Sequence, residues 1–363
     1  MNRIAAPRSA TDELSVVGRE TPIDPTMRTR LRAWLRHHCD EWRYNPDLGG
    51  DLDRVQLLID GGAAVLPEDA GAAARIREAL DHVFDEGGDP VSIYRSECPG
   101  KSEPFHAIDT SRSPELDEYV GRLERENAFE LAETFDHRLD ELSGHIERRI
   151  AAESLFYRAR LGIVQRYARP GETWERKVRY QPFGGRKMTA PPPPFAPAGR
   201  ANRQGIAVLY LASDVPTAVA EIRPHPSHLI SVAEFVATRT LRIADFGTLD
   251  FADWWGDDNS ISLYHFAMSL DAALSEAVVP EHRHRYTVTQ LLAELLRQRG
   301  FDGIRFRSAV GTGTNLCIFR PSLFAERDAA AQVLRVQSLR YDFEKLPTVV
   351  MPDADDRPLD HED

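Results

Sequence analysis

Two arginines in this sequence are of a residue type, and in a local setting, that could bind a ligand. Arg158 lies in a short apolar run typical of a β-strand, and Arg200 follows Gly199 in a segment that must turn sharply. A guanidinium group offers forked N–H donors that bind a phosphate or a diphosphate in a bidentate way. Glycine lets the backbone approach a ligand closely. The two arginines therefore indicate a site for a small phosphorylated ligand, with an edge-strand charge in solvent as the alternative for Arg158.

The charge around these arginines differs from that of the whole chain. The segment 158–203 contains 11 Lys and Arg against 2 Asp and Glu, whereas the chain of 363 residues has a formal net charge of -12. A net acidic chain is a poor general binder of nucleic acids or anionic membranes, because both affinities rest on cationic contacts. We interpret the basic segment as a loop that binds a small anion, and a solvated basic loop is the alternative.

A carboxylate, two further polar side chains and a tyrosine are the other candidates. Glu221 ends a run of small and apolar residues, where burial of a carboxylate costs free energy unless another group pairs with it. Ser308 follows an apolar run, and Asn315 begins the next one after a glycine-rich turn. Tyr210 lies in the middle of an apolar run, where a plain core aromatic is the alternative interpretation.

Short segments with the apolar pattern of β-strands are expected to position these residues. The runs are 155–160, 206–212, 229–236, 240–246, 303–307 and 315–320, with amphipathic helices near 260–278 and 287–299. Before them the pattern is helical: Pro114 takes the first position of a helix, and apolar residues recur at helical spacing as far as Ile150. The sequence therefore predicts an α+β protein, with an all-α N-terminal domain followed by a mixed α/β domain.

Length and composition predict two domains. The expected divisions are a flexible lead at 1–26, a helical domain at 27–152, the mixed domain at 153–343 and an acidic tail at 344–363. All the candidate residues named above follow residue 152, so the second domain is expected to keep the site without the first.

The remaining patterns argue against several classes of protein. Cys39, Cys98 and Cys317 are far apart and form no Cys-x-x-Cys pair, so neither a zinc site nor a disulfide framework is predicted and a reducing compartment fits. His282 and His284, two residues apart, do not share a helix face, and no metal site is predicted there or elsewhere. No run approaches the ~18 apolar residues of a membrane span. The expectation is a cytoplasmic protein without membrane contact.

The order of these elements resembles the RES domain family, which is named for an arginine, a glutamate and a serine. The matching segments are Phe156–Arg158, Gly199–Asn202 with Gly205, Leu209–Ala212, Thr217–Glu221, Asp302–Ile304 with Ser308, and Asn315–Phe319. Ala201 departs from the pattern, because many members carry Trp at that position, and this puts the walls of the ligand pocket in doubt. The helical first part is similar to the HEPN-type domain that precedes RES in longer members, without a specific motif.

The resemblance implies an ADP-ribosyltransferase-like fold and an enzyme that degrades NAD as a toxin or defence effector. The residues that would then be catalytic are Glu221, Arg200, Tyr210 and Ser308. The residues that would then bind NAD are Arg158, Arg200, Asn202 and Asn315. NAD is a substrate in this interpretation, and no prosthetic group is expected. A carboxylate such as Glu221 would stabilise the positive ribose formed when the bond to nicotinamide breaks.

Several alternatives stay open at this point. Water as the acceptor gives an NAD glycohydrolase, phosphate gives a phosphorylase, and a protein side chain gives an ADP-ribosyltransferase. A protein of another class would bind a nucleotide without turnover and use its helical half for partner binding or RNA cleavage, with Arg138 and His145 as candidate ribonuclease residues. An inhibitory partner protein, or antitoxin, would be a separate chain. A homo-oligomer is left open, and a nucleic-acid partner is not expected.

Overall fold

The computed structural model describes residues 25–43, 70–71, 74, 92–94, 105–169, 177–254, 256–276 and 286–340. The helices in these ranges are α1 (Pro25–His38), α2 (Pro114–Leu123), α3 (Ala128–Ile146), α4 (Val215–Glu221), α5 (Asp258–Ser275) and α6 (Thr287–Gln298). The strands are β1 (Glu41–Arg43), β2 (Ser92–Tyr94), β3 (Glu147–Ile150), β4 (Leu155–Leu161), β5 (Gln165–Arg169), β6 (Lys177–Gln181), β7 (Leu209–Ala212), β8 (Leu229–Ala237), β9 (Leu241–Asp245), β10 (Gly303–Arg307), β11 (Thr314–Ile318), β12 (Phe324–Glu326) and β13 (Gln332–Arg335). The predicted α+β class is confirmed.

A mixed sheet of nine strands forms the centre of the described chain. Its order is β12-β8-β4-β7-β11-β10-β9-β3, and β13 pairs with the other half of β8. Strands β9 and β10 run parallel. Helices α5 and α6 lie in the connection between them, as a parallel pair requires a crossover of this kind. Strands β1 with β2 and β5 with β6 form two separate antiparallel two-stranded sheets.

Strand β4 places Arg158 inside the sheet. The strand pairs with β8 over its whole length, where Arg158 lies opposite Ala233, and with β7 on the other side at Tyr157 and Ala212. Side chains of an interior strand project onto the faces of the sheet and not from its edge. The interpretation of Arg158 as an edge-strand charge is therefore wrong.

The long helix expected from Pro114 to Ile150 is two helices and a strand. Helix α2 ends at Leu123, and Asn127 caps α3 by accepting a hydrogen bond from the backbone N–H of Phe129 at 3.2 Å. Residues 147–150 leave the helix and pair with β9 as β3. The helical spacing of Ile146 and Ile150 was misleading, because backbone pairing at the sheet edge outweighs a weak local preference.

One hydrophobic core joins the described helices before residue 150 to those after it. Phe135 of α3 packs on Phe266 of α5 with ring centroids 5.8 Å apart, and Leu116 of α2 is buried in the same cluster. Alternate strand residues face this cluster and a second one that contains Phe156 and Phe235. The domain boundary at residue 152 stays a prediction, but α2 and α3 pack against α5 and α6 in this shared core. No helix in the described ranges is long and apolar enough to span a bilayer.

Candidate active site

A cavity of about 410 Å³ opens beside the middle of the sheet, next to helix α4 and the turn around Arg200. The volume lies in the range of small-molecule sites, roughly 300–1,000 Å³. The lining residues that carry the argument below are Tyr157, Arg158, Gly199, Arg200, Tyr210, Glu221, Arg223, Tyr286 and Asn315. The fold therefore brings residues from four distant parts of the sequence to one cavity.

Arg158 is the most enclosed cation of the cavity. Its Nη1 atom donates to the carbonyl oxygen of Tyr210 at 2.9 Å, which fixes the guanidinium across the neighbouring strand β7. Burial, with a smaller contribution from Arg160, lowers the pKa of Arg158 to about 10. The side chain is still cationic near neutral pH, so it keeps a full positive charge in a largely desolvated position.

Arg200 is held by helices α5 and α6. Its Nη1 atom donates to the carbonyl of Leu274 at 3.0 Å, and its own carbonyl accepts from the hydroxyl of Thr289 at 2.6 Å. The turn itself is closed by Gly199, whose N–H donates to the carbonyl of Asn202 at 2.9 Å. A Cβ atom at Gly199 would lie 2.7 Å from Oδ1 of Asn202, so only glycine fits this turn.

Asn202 holds this turn and is not among the residues that line the cavity. Its amide nitrogen donates to the carbonyls of Pro197, Arg203 and Ile206 at 2.8, 3.2 and 3.0 Å. Its Oδ1 atom accepts from the Tyr210 hydroxyl at 2.9 Å. The amide is therefore fully used inside the loop. This geometry does not support the expected contact of Asn202 with NAD, and we assign the side chain to positioning Arg200.

Tyr210 has a ring that lines the cavity and a hydroxyl that is committed to the turn. The hydroxyl donates to Asn202 and accepts from the backbone N–H of Ala201 at 3.1 Å. Burial raises the pKa of Tyr210 well above its usual value, so the hydroxyl stays neutral. The ring is available for stacking on a flat ligand, whereas the hydroxyl is not available for proton transfer. Ala201 itself is buried beneath the turn.

Glu221 forms the acidic centre of the site. It is the last residue of α4, and its Oε1 atom accepts from the Ser308 hydroxyl at 2.7 Å and from the Asn315 amide at 2.5 Å. Among the residues that the structure describes, no donor contacts Oε2. Two hydrogen bonds thus fix one carboxylate oxygen and leave the other for a ligand in the cavity.

Ser308 is oriented by the loop that follows β10. Its hydroxyl oxygen accepts from the backbone N–H of Gly311 at 3.0 Å, so its proton is directed to Glu221. The loop is fastened to α4, because the N–H of Gly313 donates to the Thr217 hydroxyl at 3.0 Å. Ser308 is absent from the cavity lining and contacts the site through Glu221. It is therefore a positioning residue in this structure.

Gly313 is expected to be essential for this arrangement. A Cβ atom there would lie 2.1 Å from Oδ2 of Asp214 and 2.4 Å from Oγ of Ser213. We predict that Gly313→Ala lowers the free energy of unfolding by about 1–3 kcal/mol, the usual cost of overpacking. The control is Gly144→Ala on α3, where the added Cβ meets no heavy atom within 4 Å. That change should be neutral or stabilise by up to about 1 kcal/mol. Urea unfolding measures both, and equal effects would contradict the packing.

The two residues considered for RNA cleavage have other partners. Arg138 forms ion pairs with Glu115, at 3.0 Å, and with Glu141. The His145 ring stacks on Trp254 with centroids 4.1 Å apart. Both side chains thus take part in fastening α3, and the ribonuclease interpretation stays a prediction. His282 and His284 lie outside the described residues.

Two lining residues were not found from the sequence. Arg223 follows α4 with a positive φ of 45° and is exposed at the cavity. Tyr286 directly precedes α6. The only local signal for Arg223 is its position two residues after Glu221, and no local signal points to Tyr286.

The charge balance of the cavity favours an anionic ligand. Among the described residues, no carboxylate forms an ion pair with Arg158, Arg200 or Arg223, whereas Arg305 pairs with Asp245 elsewhere in the sheet. Three arginines therefore line the cavity together with Glu221, its one acidic lining residue in the described ranges. A partly desolvated cation without a counter-ion is stabilised by an anionic ligand. The cavity is electrostatically suited to a phosphorylated molecule.

Comparisons with known proteins agree with the sequence resemblance over the C-terminal half. Residues 164–344 match the family model described as RES domain. This match includes Arg200, Glu221 and Ser308, and it begins after Arg158. One similar solved structure is the crystal structure of the M. tuberculosis MbcT-MbcA toxin-antitoxin complex, at 12% identity, with 56% of this chain and 91% of that chain covered and a TM-score of 0.28. No curated protein matches the chain.

Proposed function

The chain belongs, over residues 164–344, to the RES domain family, and we propose that its cavity binds NAD and cleaves the bond between nicotinamide and ribose. The observation that carries the proposal is that one cavity is lined both by arginines without a described acidic partner and by one fixed carboxylate. The arginines match the diphosphate of NAD, and the carboxylate matches the positive charge that forms on the ribose when this bond breaks.

Binding is assigned to the guanidinium groups and the aromatic rings. Arg158 and Arg200 hold the diphosphate, because forked donors bind phosphate oxygens more strongly than a point charge does. The rings of Tyr210 and Tyr286 offer faces on which the flat nicotinamide can stack. The predicted ligand contact of Asn315 becomes indirect in this proposal, because its amide holds Glu221.

Catalysis is assigned to Glu221. As the C–N bond breaks, its electron pair moves to the nicotinamide nitrogen and neutralises the pyridinium, while the ribose carbon gains oxocarbenium character. The Glu221 carboxylate, fixed by Ser308 and Asn315, stabilises that positive charge without having to reorganise. An acceptor nucleophile then adds to the ribose carbon and loses its proton. Tyr210 and Arg200 support the reaction by binding and not by proton transfer.

We propose water or phosphate as the acceptor, which makes the protein an NAD glycohydrolase or phosphorylase. Its loss of NAD would harm a cell, which fits a toxin or defence effector that a separate antitoxin chain restrains. The test is full-length protein incubated with NAD, with and without phosphate, and the products resolved by mass. ADP-ribose, or ADP-ribose phosphate only when phosphate is present, supports the proposal. A mass added to the protein itself would indicate an ADP-ribosyltransferase, and unchanged NAD would indicate a binding module.

The diphosphate clamp makes a prediction about arginine geometry. Arg158→Lys and Arg200→Lys each keep the charge but lose the fork, and each should weaken NAD binding by about 1–3 kcal/mol. Arg186→Lys is the control, because Arg186 is exposed and is not part of the cavity lining. Calorimetry on a Glu221→Gln background measures affinity without turnover. Equal losses at all three positions would mean that the basic segment acts as a diffuse field and that no specific clamp exists.

A further inference from the structure

A second cluster of polar side chains lies away from the cavity, where helix α1 ends. His37 and His38 are consecutive at the end of the helix, and Asp109 approaches them from the segment 105–110. The Nδ1 atoms of the two histidines are 3.2 Å apart, and Nδ1 of His38 is 3.2 Å from Oδ2 of Asp109. All three potential ligand atoms lie within 4.8 Å of one another.

The two contacts of His38 depend on a single proton. The Nδ1 atom of an imidazole carries at most one proton, and Nδ1 of His38 has two close polar neighbours. If Nδ1 is protonated, His37 and Asp109 compete for the same proton. If it is unprotonated, its lone pair faces a carboxylate oxygen. In the first case two acceptors share one N–H, and in the second a lone pair faces a carboxylate oxygen, whereas a cation between the three atoms would attract all of them.

Two of the three distances between the ligand atoms fit a metal ion with short bonds. Zinc binds histidine nitrogen at ~2.0–2.1 Å in tetrahedral sites, which places neighbouring ligand atoms ~3.3–3.4 Å apart. Two of the three separations, 3.2 Å each, are close to that value, and the third is within 4.8 Å. We propose that His37, His38 and Asp109 bind a divalent transition metal ion of the zinc type. Two imidazoles and one carboxylate are an established ligand set for such ions, with the remaining position open to water.

The backbone around the cluster is fixed by the same two segments. The N–H of Asp109 donates to the carbonyl of His37 at 3.1 Å, and the N–H of Ile108 donates to the carbonyl of Arg36 at 3.2 Å. The His37 ring is buried and packs on Phe251 with centroids 4.3 Å apart. The ligands are therefore held in place before metal binds. The ion would cross-link α1 to a segment about seventy residues later and fasten both to the shared core.

The test uses full-length protein without an affinity tag, stripped of metal by a chelator and titrated with Zn²⁺ in a calorimeter. We expect one Zn²⁺ per chain with micromolar or tighter affinity. His38→Ala and Asp109→Ala should each weaken binding by about 100-fold or more, the upper end of what loss of a supporting group costs a metal site. His137→Ala, at an exposed histidine on α3, should bind Zn²⁺ like the wild type. Zn²⁺ should also raise the melting temperature of the wild type and not of the ligand variants.

Two results would overturn the proposal. One is the absence of Zn²⁺ binding by the stripped wild type, and the other is equal affinity in the wild type and both ligand variants. If an alanine variant does not fold, Asp109→Asn decides, because it keeps the shape of the side chain and removes the charge. A loss of Zn²⁺ affinity in that variant supports the site, and an unchanged affinity contradicts it.

Discussion

Replacing Glu221 with glutamine is expected to reduce NAD turnover by on the order of 10²-fold or more, as the loss of an electrostatic stabiliser does in other enzymes. Glutamine keeps the shape of the side chain, and its amide oxygen can still accept from Ser308 and Asn315. The change removes only the negative charge that we propose stabilises the ribose in the transition state. The free energy of unfolding should therefore change little, which urea unfolding of the same preparation measures.

The matched control for this variant is Glu294→Gln. Glu294 lies on α6, pairs with Arg203 at the surface at 3.5 Å and does not line the cavity. Its replacement should leave NAD turnover within a few-fold of the wild type, since exposed ion pairs contribute little. If Glu221→Gln retains turnover within the same few-fold range, Glu221 does not stabilise the transition state and its assignment fails.

Removing residues 1–150 is expected to destroy the fold of the remainder. The deletion takes away α2, α3 and β3, and so exposes the cluster around Phe266 that these elements cover. It also removes Asp136 and Asp140, the acidic partners of Arg299, and leaves that side chain unpaired. A fragment that begins at Ala151 should aggregate and should show no cooperative thermal unfolding by circular dichroism. The sequence alone led to a different expectation, namely that the second domain keeps the site in the absence of the first.

Co-expression supplies the control for the deletion. If fragments 1–150 and 151–363 are produced together, the shared core can form between them, and solubility and NAD binding should return. A fragment 151–363 that is monomeric, unfolds cooperatively by itself and binds NAD like the full chain would contradict the account. It would show that the helices add regulation or recruitment and not structural support.

The strands of the central sheet were predictable where burial dominates their composition. The runs that became β4, β8 and β10 are apolar or alternate, and their predicted positions are confirmed to within a residue or two. Strands β5 and β6 were missed, because they carry mostly polar residues and, among the described strands, pair with each other and not with the central sheet. Strand β3 was predicted as helix, because the backbone of its partner β9 decides its conformation. Local patterns do not contain that information.

The candidate site was predictable in its residue types but not in its contacts. Arg158, Arg200 and Glu221 line one cavity, although they are far apart in sequence. Asn202 has the same polar side chain as Asn315, yet the turn uses all its hydrogen bonds. Arg223 was missed because only the packing of α4 shows that it reaches the cavity. The catalytic assignments stay predictions.

The proposed metal site shows the same limit of sequence patterns. Cysteine count and local histidine spacing predicted no metal, and both are tests for ligands that lie close together in sequence. His37 and His38 are adjacent, but Asp109 reaches them only through tertiary structure. Without the third ligand, two neighbouring histidines at a helix end give no signal.

The release of nicotinamide from NAD by purified full-length protein tests the central claim most directly. The assay follows both NAD and nicotinamide over time, for the wild type and Glu221→Gln at equal concentrations of folded protein, with NAD binding measured by calorimetry in parallel. We expect one nicotinamide for each NAD consumed by the wild type, a rate lower by on the order of 10²-fold in the variant, and NAD binding retained by the variant. NAD that binds to the wild type but remains intact would contradict this expectation, and the cavity would then be a nucleotide-binding site without catalysis.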